Sequence, residues 1–243
     1  MLEGLYSAAA GMEAQQTQLD AIANDVANSE TPGYQATEVG FHDLLYGSEN
    51  DPLSQATVGA GAAATTIGYS QTEGSLEQTG NPLDVAINGN AYLEVKQSNG
   101  TIGLTRNGTL QLDASGRLTT SLGMPVQPPI TIPAGTDPSK LSIASDGTIT
   151  AGQTKLGRLQ LVTVTAPNQL LEAGDGVFSA TSASGPIINA TGATLQQGAL
   201  EQSNVDMNAE ISQMMSTEQA YSMASKAIDF ETQMGQIAAT LKA

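Results

Sequence analysis

Residues 5–34 read LYSAAAGMEAQQTQLDAIANDVANSETPGY, and the spacing of their apolar side chains predicts the first element. Leu5, Met12, Leu19 and Val26 fall seven apart, with Ala8, Gln15 and Ile22 three residues behind the first three. Side chains at that alternation of three and four share one narrow face of an α-helix. This is the a/d seam of a coiled coil, with one polar break at Gln15. A helix is therefore predicted over the first thirty residues. Asn28, Ser29 and Glu30 weaken it, and Thr31-Pro32-Gly33-Tyr34 ends it, because Pro suits the second position of a type II turn and Gly the third.

The far end of the chain carries a second pattern. Ser203 with Asp206 three residues later has the spacing of a capping box, and no Gly or Pro follows until Gly235. Met223, Ala227, Phe230, Met234, Ile237 and Leu241 step by four and three, another heptad seam. Ile211, Met214, Tyr221 and Ile228 lie on a different face. A helix with two apolar faces has more than one neighbour to satisfy.

Between the helices the period changes. Residues 47–80 are rich in Gly, Ala, Ser and Thr and read as extended or loop-like, with a helical segment expected at Phe41–Tyr46. From Leu83 the chain alternates like β structure, at Asp84–Ile87, Ala91–Val95, Gly103–Arg106, Thr109–Leu112 and Arg117–Thr120, with one long strand at Lys155–Val164. Asn88-Gly89, Asn99-Gly100, Asn107-Gly108, Asp146-Gly147 and Asp175-Gly176 are hairpin signals.

The fold class is thus α+β: terminal α-helices forming a coiled coil, plus a central, mainly antiparallel β domain. Five segments follow: an N-terminal helix (1–35), an extended or loop connection (36–80), a β-rich domain (81–180), a return segment (181–202) and a C-terminal helix (203–243). Each seam is thin. Burying one such side chain stabilises by roughly 1.5–3 kcal/mol at best, while ordering costs roughly 1–2 kcal/mol per residue of backbone. The ends are expected to order only against each other and against neighbouring molecules.

Composition narrows the chemistry. Apolar residues make up 40% of the chain, enough for a core, whereas charged residues are only 13%, which suits subunits that lie against one another. Eight basic against 24 acidic residues give a net charge of −16, so a phosphate backbone is repelled and nucleic acid is excluded as a partner. Without Cys, disulfides and thiolate metal sites are impossible. The N-terminus lacks the basic and apolar regions of a signal peptide, and the uncharged stretches 52–72 and 176–200 are too polar to span a bilayer, so direct membrane insertion is not expected.

No catalytic, cofactor or metal site emerges. His42, the only His, sits beside Asp43 and reads as a solvated surface residue. Gly59-Ala60-Gly61 lacks the strand before it and the third Gly of a dinucleotide loop. Asp113–Gly116 and Asp146-Gly147 lack the ligand spacing of a calcium loop and read as turns. The Asn-X-Thr triplets at Asn99, Asn107 and Asn189 are expected by chance in so Thr-rich a chain.

Residues 21–35, AIANDVANSETPGYQ, resemble the N-terminal signature of flagellar rod and hook proteins, with Asn24, Asn28, Thr31, Gly33 and Tyr34 on its positions. LEQSNV at 200–205, carrying Ser203, Asn204 and Val205, resembles the C-terminal signature, as do Gln219-Ala220-Tyr221 and Ser225-Lys226-Ala227. TGNPLDVAI at 79–87, TRNG at 105–108 and LDASGRL at 112–118 resemble rod proteins with an inserted β domain, and Phe41 with DLLY at 43–46 is most similar to the distal-rod type, its proximal-rod sister next. The chain departs from the family at Asp25-Val26, where Asn-Leu is usual, and at Gln35, where a basic residue is usual.

The resemblance implies a non-enzymatic structural subunit of the flagellar basal body, without cofactor. It implies export through the flagellar type III apparatus without a cleaved signal. The subunit would polymerise with itself through its terminal helices into the hollow shaft that carries torque to the hook. Other rod proteins and the hook and ring components are its implied partners. The expected interface sets Leu5, Met12, Leu19, Ile22 and Val26 against Tyr221, Met223, Ala227, Phe230, Met234, Ile237 and Leu241, with Asn24 and Asn28 in capping and turn hydrogen bonds. A secreted adhesive β module, favoured by an aromatic binding platform, and a hydrolase using paired carboxylates are the readings from other classes.

Overall fold

A computed structural model describes residues 2–46, 58–133, 135–136 and 140–241. Helix α1 (Leu2–Ala27) opens the chain and helix α2 (Met207–Leu241) closes it, and the polypeptide between them is antiparallel β structure. The α+β reading holds. The chain divides into two compact units, one of residues 1–27, 37–67 and 206–243, the other of residues 28–36 and 68–205.

In the helical unit α1 packs along α2. A Cβ on Gly4 would lie 2.9 Å from the Glu231 Oε2, near the start of one helix and the end of the other. Asp25, at the end of α1, is within electrostatic reach of Glu210 at the start of α2. The pair is therefore antiparallel. Strands β1 (Thr37–Tyr46) and β2 (Val58–Tyr69) form a two-stranded sheet. Gly61 of β2 passes so close to α1 that a Cβ there would sit 2.9 Å from the Ala10 Cβ and 3.0 Å from the Ser7 carbonyl oxygen. The Thr37 N–H donates to both carboxylate oxygens of Asp25 at 3.1 Å, tying the entry of β1 to the end of α1.

In the β unit a six-stranded antiparallel sheet runs in the spatial order Leu171–Glu172, Val177–Ser179, Ile102–Thr105, Tyr92–Lys96, Leu161–Thr163, Ile188–Asn189. Alternation assigns its faces to two cores. Leu93 and Val95 point into the larger one with Val85, Ile87, Leu118, Val126 and Leu159, while Tyr92, Leu104, Val162 and Phe178 fill the smaller. Register agrees, since Tyr92 pairs with Val162 and Phe178 with Leu104. A three-stranded sheet (Thr154–Arg158, Thr148–Ala151, Leu141–Ile143) and three strand pairs complete the unit.

Several local expectations are corrected. Phe41–Tyr46 is strand, not helix, and pairs with Val58–Tyr69 of the stretch read as extended or loop-like; residues 47–57 lie outside the described residues. The Lys155–Val164 strand is two strands, broken at Leu159-Gln160. Leu159 turns inward, 1% exposed, and its N–H goes to the Gly147 carbonyl, so the chain leaves one sheet at Arg158 and joins another at Leu161. Asn99-Gly100, Asp146-Gly147 and Asp175-Gly176 close hairpins, but Asn88-Gly89 and Asn107-Gly108 do not. Val85–Asn88 pairs instead with Thr194–Gln197 from the far end of the unit, which puts Val85, Ile87 and Leu195 into one core. At Gly108 the backbone itself is the contact: the Val85 N–H donates to the Gly108 carbonyl at 3.0 Å, and a Cβ on Gly108 would overlap the Val85 oxygen.

Candidate assembly surface and the buried clasp

Helix α2 starts at Met207, later than Ser203. Its cap is Asp206, whose Oδ1 accepts the N–H groups of Asn208 (3.0 Å) and Ala209 (3.3 Å); the Ser203 hydroxyl instead accepts the Val205 N–H. Along α2 the less exposed positions are Glu210, Met214, Thr217, Ala220, Ala224, Ser225, Ile228, Glu231 and Gly235. Most of these step by three and four on one face, and that face carries the second stripe's Met214 and Ile228, with Tyr221 at its edge, 37% exposed.

Within the chain, the heptad stripe that starts at Met223 stays exposed. Met223 (65% exposed), Phe230 (67%), Met234 (61%) and Ile237 (59%) form an open stripe, with Ala227 between them. The side chain of Leu241 lies outside the described residues. The reason is geometric: at 100° per residue, the heptad from Met223 lies well over a quarter-turn from the one through Met214 and Ile228. On α1 the most buried positions are Ala14, Gln18, Ile22 and Asp25; Leu5, Met12, Leu19 and Val26 flank them half-buried.

The residues around Gly33 and Asn204 belong to the β unit. Gly33 has φ +69° and the Tyr34 N–H donates to the Thr31 carbonyl at 3.2 Å, as a type II turn requires. The Thr31 hydroxyl donates to the Asn28 Oδ1 at 3.3 Å; Asn24 is exposed on α1. Beyond the turn the backbone is held by the return segment. The Gly33 N–H donates to the Glu201 carbonyl (2.8 Å), the Ala36 N–H to the Asn204 Oδ1 (2.7 Å) and the Asn204 N–H to the Tyr34 carbonyl (3.3 Å). The Asn204 amide in turn donates to the carbonyls of Ser70 and Thr72.

Beneath this seam lies an ion pair that no one-dimensional pattern announces. Arg106 is 2% and Glu201 5% exposed. The guanidinium grips the carboxylate through Nε–Oε2 and Nη2–Oε1, both 2.9 Å, and its Nη1 donates to the carbonyls of Gly89 and Ala91. The Gly74 N–H adds a third donor to Glu201. Burial pushes the Glu201 carboxyl up, and the Arg106 charge pulls against it. Tyr92, whose ring lies 5.9 Å from the guanidinium, donates its hydroxyl toward the Gln35 and Gln71 amide oxygens; burial raises that phenol. Gln35 thus serves as a neutral acceptor for the Tyr92 hydroxyl. Sequence motifs contain Arg106 and Glu201, but only the fold, 95 residues apart in the chain, makes them partners.

Among the described residues, no helix is long and apolar enough to cross a membrane, and no group of three acids, His or Cys is placed to hold a metal ion. What the arrangement offers is surface, an apolar helical stripe exposed along α2, and, within the β unit, a hydrogen-bonded clasp around Arg106 and Glu201.

Three family models match in chain order: flagella basal body rod protein (residues 5–35), flagellar hook protein FlgE/F/G D1 domain (86–151) and flagellar basal body rod FlgEFG protein C-terminal (196–241). The chain is 35% identical to the flagellar basal-body rod protein FlgG of Agrobacterium fabrum and 34% to that of Buchnera aphidicola, each over 97% of this chain and 98% of the relative. It belongs to the flagellar basal-body rod protein family. FlgF of Escherichia coli is 32% identical over 94% of this chain and 93% of its own. The protein is therefore a structural subunit of the flagellar rod, and it assembles with other basal-body rod components. The three matched segments of this rod subunit meet at the clasp, with Gly33 and Gln35 from the first, Tyr92 and Arg106 from the second, and Glu201 and Asn204 from the third.

Proposed function

We propose that this rod subunit has no enzymatic activity and polymerises copy against copy through its terminal helices into a hollow helical shaft. The observation that supports this is the bare stripe of Met223, Ala227, Phe230, Met234 and Ile237 on the side of α2 turned away from α1. Soluble monomers seldom leave so regular an apolar row exposed. Covering the four large side chains fully adds about 1–2 kcal/mol each, because roughly a third of each is already shielded. The half-buried Leu5, Met12, Leu19 and Val26 of α1 then flank the contact, while Ile22 holds α1 within its own chain. A repeated contact between different faces does not close on itself and grows a helical array. Dense packing of small side chains there deforms little, which suits torque transmission to the hook. The distal position rests on full-length similarity to proteins named FlgG, and export through the flagellar type III apparatus on the family resemblance.

The test pairs Phe230→Ser with Met234→Ser in the full chain. Both are surface positions, so the circular dichroism of the monomer stays unchanged, while concentration-dependent assembly seen by electron microscopy and motility of a complemented deletion strain are lost. Assembly at wild-type concentration by the folded variant would remove the stripe from the interface. Complementation of strains lacking the distal or the proximal rod protein separates those two assignments.

A further inference from the structure

Asn-Gly pairs stand at Asn88-Gly89, Asn99-Gly100 and Asn107-Gly108, and the fold treats them differently. Asn99-Gly100 is the tip of the hairpin that joins Tyr92–Lys96 to Ile102–Thr105, and Ser98, Asn99, Gly100 and Thr101 are all exposed. Gly100 has φ +86°, and nothing lies within 4 Å of where its Cβ would be. The hydrogen bonds that shape the tip run among residues 97–101. The Gly100 N–H donates to the Gln97 carbonyl (2.9 Å), and the Asn99 Oδ1 accepts the Thr101 N–H (2.9 Å). A turn held by its own residues opens without disturbing the sheet behind it.

The other two pairs are packed against the rest of the β unit. A Cβ on Gly89 would lie 3.2 Å from the Ala193 Cα, and the Gly89 N–H donates to the Glu73 carboxylate at 2.9 Å, a charge-assisted bond that opposes loss of that proton. Gly108 is buried with its backbone against Val85, and the Asn107 Oδ1 accepts the Thr109 N–H at 3.0 Å. Moving either backbone disturbs the strand Val85–Asn88 and its pairing with Thr194–Gln197.

We propose that Asn99 is a self-modification site, where the folded protein converts this asparagine to aspartate and isoaspartate. The Gly100 nitrogen, on losing its proton, attacks the Asn99 Cγ. A bond forms between that nitrogen and Cγ, the Cγ–Nδ2 bond breaks, and the displaced proton passes through solvent to Nδ2, which leaves as ammonia. Water then opens the cyclic imide. Addition at Cγ gives aspartate, and addition at the Asn99 backbone carbonyl gives isoaspartate, whose chain continues through the side chain. Water is the only co-reactant and nothing is oxidised or reduced. Glycine suits the attack because no Cβ obstructs its nitrogen. The Thr101 N–H meets the charge that develops on Oδ1. Either product adds one negative charge to the hairpin tip.

The test holds the full-length chain in mildly alkaline buffer and follows its peptides by mass spectrometry, with chromatographic separation of aspartyl from isoaspartyl forms. In the folded chain, conversion at Asn99 runs at least about tenfold faster than at Asn88 or Asn107, whose reaction waits on opening of the sheet. In urea that advantage disappears and the three rates come together. Gly100→Ala, whose Cβ meets open space, brings conversion at Asn99 in the folded chain down to the pace of the other two. Equal rates at the three sites in the folded chain, the same ranking persisting in urea, or fast conversion at Asn99 in Gly100→Ala would overturn the proposal.

Discussion

Replacing Glu201 by Ala tests the clasp most directly. The substitution leaves the Arg106 guanidinium 98% covered, with the carbonyls of Gly89 and Ala91 but no counter-charge, and removes the acceptor of the Gly74 N–H. Removing one partner of a buried pair costs about 3–5 kcal/mol, because the surviving charge stays desolvated. With a urea slope of about 1–3 kcal/mol per molar, the β-unit midpoint falls by roughly 2 M. The assay is equilibrium unfolding followed by far-ultraviolet circular dichroism and Tyr emission; the chain has no Trp to obscure Tyr34, Tyr69 and Tyr92. Arg106→Met alone leaves the carboxylate stranded and costs a similar amount. Arg106→Met with Glu201→Leu leaves no buried charge, so the double variant costs at least about 2 kcal/mol less than the two singles together. Additivity within about 0.5 kcal/mol, or a single-variant cost below about 1 kcal/mol, refutes the claim that this pair locks the segments together.

Two further outcomes follow from local geometry. Gly33→Ala forces φ +69° on a residue with a Cβ and drives that atom to 2.6 Å from the Arg106 carbonyl carbon, so thermal unfolding of the β unit shows a loss of more than about 1 kcal/mol; an unchanged melting temperature counts against the turn assignment. Asp206→Ala removes the oxygen that accepts the Asn208 and Ala209 N–H groups, and costs the α2 helix about 1 kcal/mol, read as faster amide exchange in its first turn with the β unit unaffected.

The comparison of pattern and structure turns on range. The helix ending at Thr31-Pro32-Gly33-Tyr34 was legible, because φ and hydrogen bonding there depend on four consecutive residues. Three hairpins were legible at Asn-Gly or Asp-Gly for the same reason. Asn88-Gly89 misled because the same dipeptide serves a bend between strands that find partners elsewhere: the edge that Val85–Asn88 needs comes from residues 194–197. Phe41–Tyr46 misled because a short apolar run fits helix and strand alike, and only the pairing with β2 settles it. The heptad from Met223 is real as a pattern, but a pattern does not say whether its partner lies in the same molecule. α1 takes the neighbouring stripe through Met214 and Ile228 and leaves Met223, Phe230, Met234 and Ile237 bare.

Periodicity, turn chemistry and three ordered motifs, read along the chain, establish two terminal helices around an antiparallel β domain and point to the rod family. Those signals are local, and each is written within one element. The Arg106–Glu201 clasp joins residues 95 positions apart, and the choice between two apolar stripes depends on a helix at the opposite end of the chain. Such contacts exist only once the whole chain has closed, because a side chain's partner is set by where the backbone brings it.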